Sequence, residues 1–234
     1  MTRIKKVLRK LKSLGNERDR SGMGRFGIDV ENAYGVSIYR IRPIAKELGK
    51  DHKLALELWK SGVHEARILA GIVDDPGKVT DAQMEKWVND FDSWDVVDQV
   101  CSNLFDKTEF AYKKAVEWSS RNEEFVKRAG FTLMACLSVH DKNAEDKKFE
   151  RFLPIIVREA TDERNFVRKA VNWALRQIGK RDRKLNRKAI ATARKIQRID
   201  SKAARWIAAD ALRELEGEKV QKRIRERHYL KLKL

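Results

Sequence analysis

Apolar residues recur at spacings of three and four along nearly the whole chain, and the strict alternation of a half-buried strand is absent. The pattern predicts a first helix over residues 2–14, stopped by Gly15-Asn16, then a loop at Ser21-Gly22-Met23-Gly24 leading into a short turn of structure through Phe26. Ser37 is placed to cap a helix running toward Glu47. Further helices are expected at about 51–60, 63–74, 80–91, 93–105, 108–119, 122–140, 145–160, 163–179, 183–197 and 201–215. Gly179, Gly217 and the turn Asp74-Asp75-Pro76-Gly77 supply stops. The three prolines, at 43, 76 and 154, are expected at helix boundaries or in loops. Leu58, Trp59, Leu69, Trp87, Phe91, Leu104, Phe105, Phe131, Leu133, Leu153, Ile156 and Leu175 fall at core-facing positions. Trp94, Trp118, Trp173 and Trp206 sit beside charged groups and are less routine core candidates.

The helices repeat. Phe125-Val126-Lys127-Arg128-Ala129 returns 41 residues later as Phe166-Val167-Arg168-Lys169-Ala170, and Ala204-Arg205-Trp206-Ile207-Ala208 is a weaker third echo. A helical period near 40 predicts an all-α, HEAT-like or armadillo-like superhelix of stacked helix pairs. The expectation is one solenoid domain over residues 1–217 followed by a basic C-terminal tail over 218–234. Basic pairs at the start of the repeated helix predict a positive stripe, hence a basic concave face.

Charge strengthens that expectation. The 234 residues carry a net charge of +17 with 42% apolar content, enough for a sizeable core. The basic excess is uneven: residues 151–234 hold 25 Lys/Arg against 10 Asp/Glu, whereas residues 1–150 are nearly balanced. Residues 1–20 form a second basic end, with eight basic and two acidic groups. Such a distribution points to a polyanion, most often nucleic acid. Arg40, Arg42, Lys169, Arg176, Lys180 and Arg187 are candidates for phosphate contacts, and the Lys219–Lys233 cluster for an arm that adds salt-sensitive affinity. No stretch has the apolar length of a membrane span, and Met1–Lys12 is basic and amphipathic, unlike a signal peptide. The two cysteines, Cys101 and Cys136, form no CxxC and are expected reduced and buried, as in a cytoplasmic protein that meets DNA at the nucleoid. His52, His64, His140 and His228 show no ligand spacing, and no phosphate-cradling glycine loop appears, so neither a metal nor a cofactor is expected.

The sharpest local signal is Phe91-Asp92-Ser93-Trp94-Asp95-Val96-Val97-Asp98. Asp92 or Ser93 can cap a helix there, and Asp95 in the first turn suits the macrodipole. Trp94 and Asp98 are then i,i+4 neighbours, an indole beside a carboxylate. Asp98 is embedded in an apolar run and needs a partner or a purpose. An ion pair with the next repeat and a role in chemistry both satisfy that need.

These residues carry a resemblance. The chain is similar, from about Met23 to Leu215, to the AlkD family of alkylpurine DNA glycosylases, which are built from HEAT-like repeats. The similarity lies in Met23-Gly24-Arg25-Phe26 with Tyr34-Gly35-Val36, in Ser93–Asp98, in Lys127-Arg128-Ala129 and in Phe166–Trp173. It implies that Asp98 is the catalytic carboxylate, that Arg128 contacts the backbone near the lesion, and that Trp94 and Trp173 pack against the lesion's sugar and phosphate. A family tyrosine falls on Phe26, which keeps the ring and loses the hydroxyl. The implied partner is double-stranded DNA carrying alkylated bases, met by a monomer in an open cleft without a deep base pocket.

The chemistry fits those residue types. Alkylation at N3 or N7 leaves a purine cationic and already a good leaving group, so no general acid is needed. What requires stabilisation is the oxocarbenium-like sugar, which a carboxylate can supply while orienting water. Two other readings use the same fold: a DNA-binding HEAT protein without catalysis, and a protein-interaction scaffold.

Overall fold

The computed structural model describes residues 2–232, with side chains through residue 226. Within that span the chain is all-helical, and no strand occurs among the described residues. The α-helices are α1 (Arg3–Ser13), α2 (Glu17–Gly24), α3 (Ile38–Leu48), α4 (His52–Lys60), α5 (His64–Val73), α6 (Asp81–Asn89), α7 (Trp94–Asn103), α8 (Ala111–Ser119), α9 (Glu124–His140), α10 (Asp146–Glu150), α11 (Phe152–Arg158), α12 (Asn165–Gly179), α13 (Arg183–Gln197), α14 (Lys202–Leu215) and α15 (Glu218–Leu232). They form two compact units, residues 1–110 and 111–234.

The expected helices are present, with differences that have local causes. Residues 17–24 form α2, started by the Asn16 side chain accepting from the Asp19 amide and by Glu17 and Asp19 at the positive helix end. Its two glycines and near absence of apolar residues hide it from periodicity. The segment expected as one helix over 145–160 is two, α10 and α11, because Pro154 cannot donate to the Glu150 carbonyl. Pro154 then sits in the first turn of α11, where an amide is not needed. Pro43 departs from the boundary expectation: it lies inside α3, on an exposed side where water can take the freed carbonyl. Ser37 precedes α3 as expected, but its side chain makes no capping bond. Beyond Gly217 the basic segment is helical, and α15 buries Val220 and Ile224.

In residues 1–110 the core centres on aromatic packing. The rings of Trp59 and Trp87 stack at 4.0 Å, with Phe91 edge-on to Trp59 at 5.9 Å. The Trp59 indole N–H donates to Asp90 Oδ2 at 2.8 Å, so burial leaves no orphan donor.

In residues 111–234 the repeated segments pack on each other. Helices α9, α12 and α14 lie side by side as one layer, and α8, α11 and α13 form the other. The equivalent rings Phe125 and Phe166 meet at 5.7 Å. Arg128 Nη1 donates to the Phe166 carbonyl at 2.7 Å, and Lys127 Nζ pairs with Glu159 at 2.6 Å and Asp162 at 3.6 Å. Lys127 and Arg128 are therefore buried between helices. One repeat further on, Arg168 lies over the Trp206 ring at 5.1 Å and Asn172 donates to Asp210 at 2.7 Å. Trp118 is core, fully buried. Cys101 and Cys136 are both buried. No helix among the described residues is long and apolar enough to cross a membrane.

Close approach of α9 to α8 depends on a missing methyl. A Cβ at Gly130 of α9 would lie 2.5 Å from the Ser119 amide nitrogen and 3.0 Å from the Ala115 carbonyl of α8. Glycine-to-alanine in a helix interior ordinarily stabilises by about 1 kcal/mol. At Gly130 the sign reverses: Gly130→Ala is expected to cost about 1–3 kcal/mol by overpacking and to lower Tm by roughly 2–4 °C per kcal/mol. Gly22→Ala, with open space around its Cβ in α2, is the control and leaves Tm unchanged or higher in the same thermal scan.

Candidate functional site

The N-terminus of α7 carries the Trp94–Asp98 pair, and α5 holds it in place. Ser93 is the fully buried N-cap residue, yet its hydroxyl does not cap α7; it donates to the Asp95 carboxylate. Asp95 Oδ2 also meets His64 Nε2 at 2.8 Å. The next residue, Glu65, is fully buried and accepts the amides of Tyr34 and Val36, each at 3.0 Å. That loop turns at Gly35, whose φ of 73° suits glycine. The first turn of α5 thus clamps both the 34–36 loop and the start of α7.

The sides of α7 are unequally covered. Val96, Val97, Val100 and Cys101 are buried, whereas Trp94 and Asp98 are half-buried and one turn apart. Residues at that spacing have Cβ atoms about 5–6 Å apart, which sets an indole beside a carboxylate. The Trp94 Nε1–H donates to the Phe26 carbonyl at 3.0 Å, fixing the indole against the end of α2. Phe26 contributes its backbone oxygen to that contact, while its ring is 69% exposed. A cavity of about 530 Å³ beside it is lined by Arg18, Met23, Arg25, Phe26 and Ile28 among others.

The remaining predicted residues are dispersed by element. Arg40 and Arg42 are exposed on α3, with Arg40 Nη1 donating to the Leu14 carbonyl at 3.3 Å. In the second unit Arg128 is 5% exposed on α9 and oriented by the Phe166 carbonyl. Lys169, Trp173 and Arg176 share one stripe of α12 at i, i+4 and i+7 spacing. Lys169 is exposed and Trp173 half-buried. Arg176 forms ion pairs with Asp210, at 3.5 Å, and Glu214, and Lys180 reaches Glu214 at 2.7 Å. Arg187 is exposed on α13, in the other layer.

His64 and Glu65 are the site-building residues that the pattern of the chain does not reveal. Histidines are found in sequence by ligand spacing, which His64 lacks; its partner lies 31 residues on, on another helix. No group of three or more His, Cys, Asp and Glu among the described residues is arranged to hold a metal ion.

This is a HEAT-like repeat protein with a half-buried tryptophan–carboxylate pair on one helix. The chain belongs to the DNA alkylation repair enzyme family, whose model matches residues 7–215. A solved structure from a family described as related to the HEAT-like repeat DNA glycosylases, with affinity for branched DNA structures, superposes with a TM-score of 0.76 at 22% identity, covering 92% of this chain and 96% of that one. The Listeria innocua serovar 6a protein Lin0241, itself uncharacterised, is 26% identical over 174 residues, 73% of this chain and 75% of its own length.

The His64–Asp95 contact has a pH signature. Burial pulls the His64 pKa down, but the hydrogen bond and charge of Asp95 outweigh it and raise it above 6.5. Burial pushes the Asp95 carboxyl up, and the bonds from His64 and Ser93 with the His64 charge outweigh that, leaving it below 3.8. A raised histidine stabilises the fold fully below its unfolded pKa and loses that contribution as pH rises through the folded one. A lowered carboxylate stabilises above its unfolded pKa and loses it as pH falls through the folded one. The pair is therefore worth most between about pH 4 and pH 6.5. Denaturant unfolding across pH 3–9 is expected to show stability falling at both ends of that window, and His64→Gln should flatten the alkaline decline.

Proposed function

We propose that the protein is a DNA glycosylase that hydrolyses the N-glycosidic bond of cationic N3- or N7-alkylated purines in duplex DNA. The observation that carries this reading is the Trp94–Asp98 pair, half-open on α7 and braced from α5 and α2. A carboxylate facing a phosphate backbone is unfavourable for binding alone; beside a sugar that becomes oxocarbenium-like it lowers the barrier. Asp98 holds the developing positive charge and orients the attacking water. The Trp94 indole, with its N–H held by the Phe26 carbonyl, presents a π face to the cationic nucleotide, worth about 0.5–2 kcal/mol. With a carboxylate contribution of a few kcal/mol, this amounts to roughly a thousandfold, sufficient for a base that is already a good leaving group. Arg128 and Trp173 are assigned to the backbone at the lesion, and Lys169, Arg40 and Arg42 to flanking phosphates. Arg176 joins them through exchange of its carboxylate partners for phosphate, a weaker contribution than an unpaired arginine would make. The Phe26 ring supplies stacking area without a hydrogen bond, so lesion preference is set by shape and charge.

The test is release of free base from duplex DNA containing N7-methylguanine. Wild type releases the base, and Asp98→Asn is expected to be slower by about 10²–10³-fold with duplex affinity retained. Salt-sensitive duplex binding by the wild type without release would instead establish a binding protein, in line with the affinity for branched DNA ascribed to the structural relative.

A further inference from the structure

A long run of positive charge lies in residues 111–234 on a helix that carries none of the residues assigned to the lesion. Residues 183–198, which are α13 and its C-cap residue, carry seven cations and no Asp or Glu. The buried positions of α13, Leu185, Asn186, Ala189, Ala193 and Ile196, fall along one side. At about 100° per residue, Arg183, Arg187, Arg194 and Arg198 lie within roughly 60° of one another on the opposite side. All four are exposed. They form a ridge about 22 Å long, given a rise of 1.5 Å per residue.

Helix stability does not account for this ridge. Cations in the last turn suit the macrodipole, but Arg183 and Lys184 occupy the first turn, where they oppose it, and the only carboxylate at that helix end among the described residues of α13 and its caps is that of the N-cap Asp182. Like charges at i,i+4, as in Arg183 and Arg187, also repel. Nearby carboxylates take the flanking lysines and one ridge arginine: Glu150 pairs with Lys184 at 3.1 Å and Lys188 at 2.6 Å, and Glu216 pairs with Arg194 at 2.8 Å through side chains that are largely exposed. A solvated outer face needs only polarity, and this chain has 35 acidic residues from which to build a mixed one.

We propose that the α13 ridge is a second DNA-binding track, which holds the phosphate backbone of a duplex segment other than the one carrying the lesion. Duplex DNA presents a phosphate every 3.4 Å of axis per strand, so a ridge of about 22 Å spans roughly six. Arginine forks match phosphate geometry better than lysine does. Within residues 111–234, α13 belongs to the layer opposite α12, which carries Lys169 and Trp173. The ridge points away from that layer, so a duplex lying along it is a separate segment. The inference requires DNA binding and does not require base excision.

The experiment measures affinity for an undamaged 40-base-pair duplex against salt, comparing wild type with Arg183→Gln/Arg194→Gln/Arg198→Gln. Glutamine keeps the helix, which circular dichroism verifies. Three lost phosphate contacts are expected to reduce the slope of log K against log salt by about 2.7 and to weaken binding about tenfold or more at 100 mM salt. The control is Lys46→Gln/Lys60→Gln/Lys86→Gln, an equal charge change at exposed positions in residues 1–110, expected to leave the slope nearly unchanged. An unaltered slope in the arginine variant overturns the proposal, as does an equal drop in the control, which would reduce the effect to net charge. Loss of polyglutamate binding with an unaltered DNA slope would reassign the ridge to an acidic protein. A ridge effect without base release by wild type retires the glycosylase reading alone; base release without a ridge effect retires the second track alone.

Discussion

The constraint on which the rest depends is that a helix in a stacked repeat is covered on both sides by its neighbours. A polar group on such a helix must find its partner on the next one or remain unsatisfied in a dry environment. The partners recur at steady separations. In residues 1–110, Trp59 meets Asp90, His64 meets Asp95 and Glu65 meets Tyr34, each 31 residues apart. In residues 111–234, Arg128 meets Phe166, Asn172 meets Asp210 and Arg176 meets Glu214, each 38 apart. These contacts lock one repeat in register on the next, because each is geometrically demanding and costly to leave unmade.

The same requirement builds the candidate site. The pair that holds α7 is the ordinary inter-repeat contact, a residue in the first turn of α5 reaching a residue in the first turn of α7. Since His64 and Ser93 occupy the Asp95 carboxylate, the helix N-terminus is fixed by its neighbours, and Trp94 and Asp98 remain half-buried one turn apart. Structural carboxylate and candidate catalytic carboxylate are three residues apart on one helix, and the structural one is the carboxylate that His64 and Ser93 engage.

Charge divides along the same line. Basic residues at the junctions, such as Lys127 between Glu159 and Asp162, hold the stack together and are removed from any outer surface. The expected stripe from Lys127, Arg128, Arg168 and Lys169 is thereby thinned: Lys169 is exposed, and Arg168 lies over Trp206. In residues 111–234 exposed cations gather instead on α13, where Arg183, Arg187 and Arg194 lie opposite its buried positions.

The chain by itself determined the helical class, the repeat and the positions of most helices, because helical periodicity and caps are local properties written within a few residues. It also marked Trp94 and Asp98, whose i,i+4 relation needs only one helix. It missed α2, where two glycines and a polar surface give periodicity nothing to register, and it ran α10 and α11 together across Pro154. Only the tertiary structure decided which cations face solvent, since Arg128 and Lys169 occupy equivalent repeat positions, yet Arg128 is buried against the Phe166 carbonyl and Lys169 is exposed. It alone decided that His64 and Glu65 brace the site, because their partners lie some thirty residues away and are brought near by packing of one helix on the next.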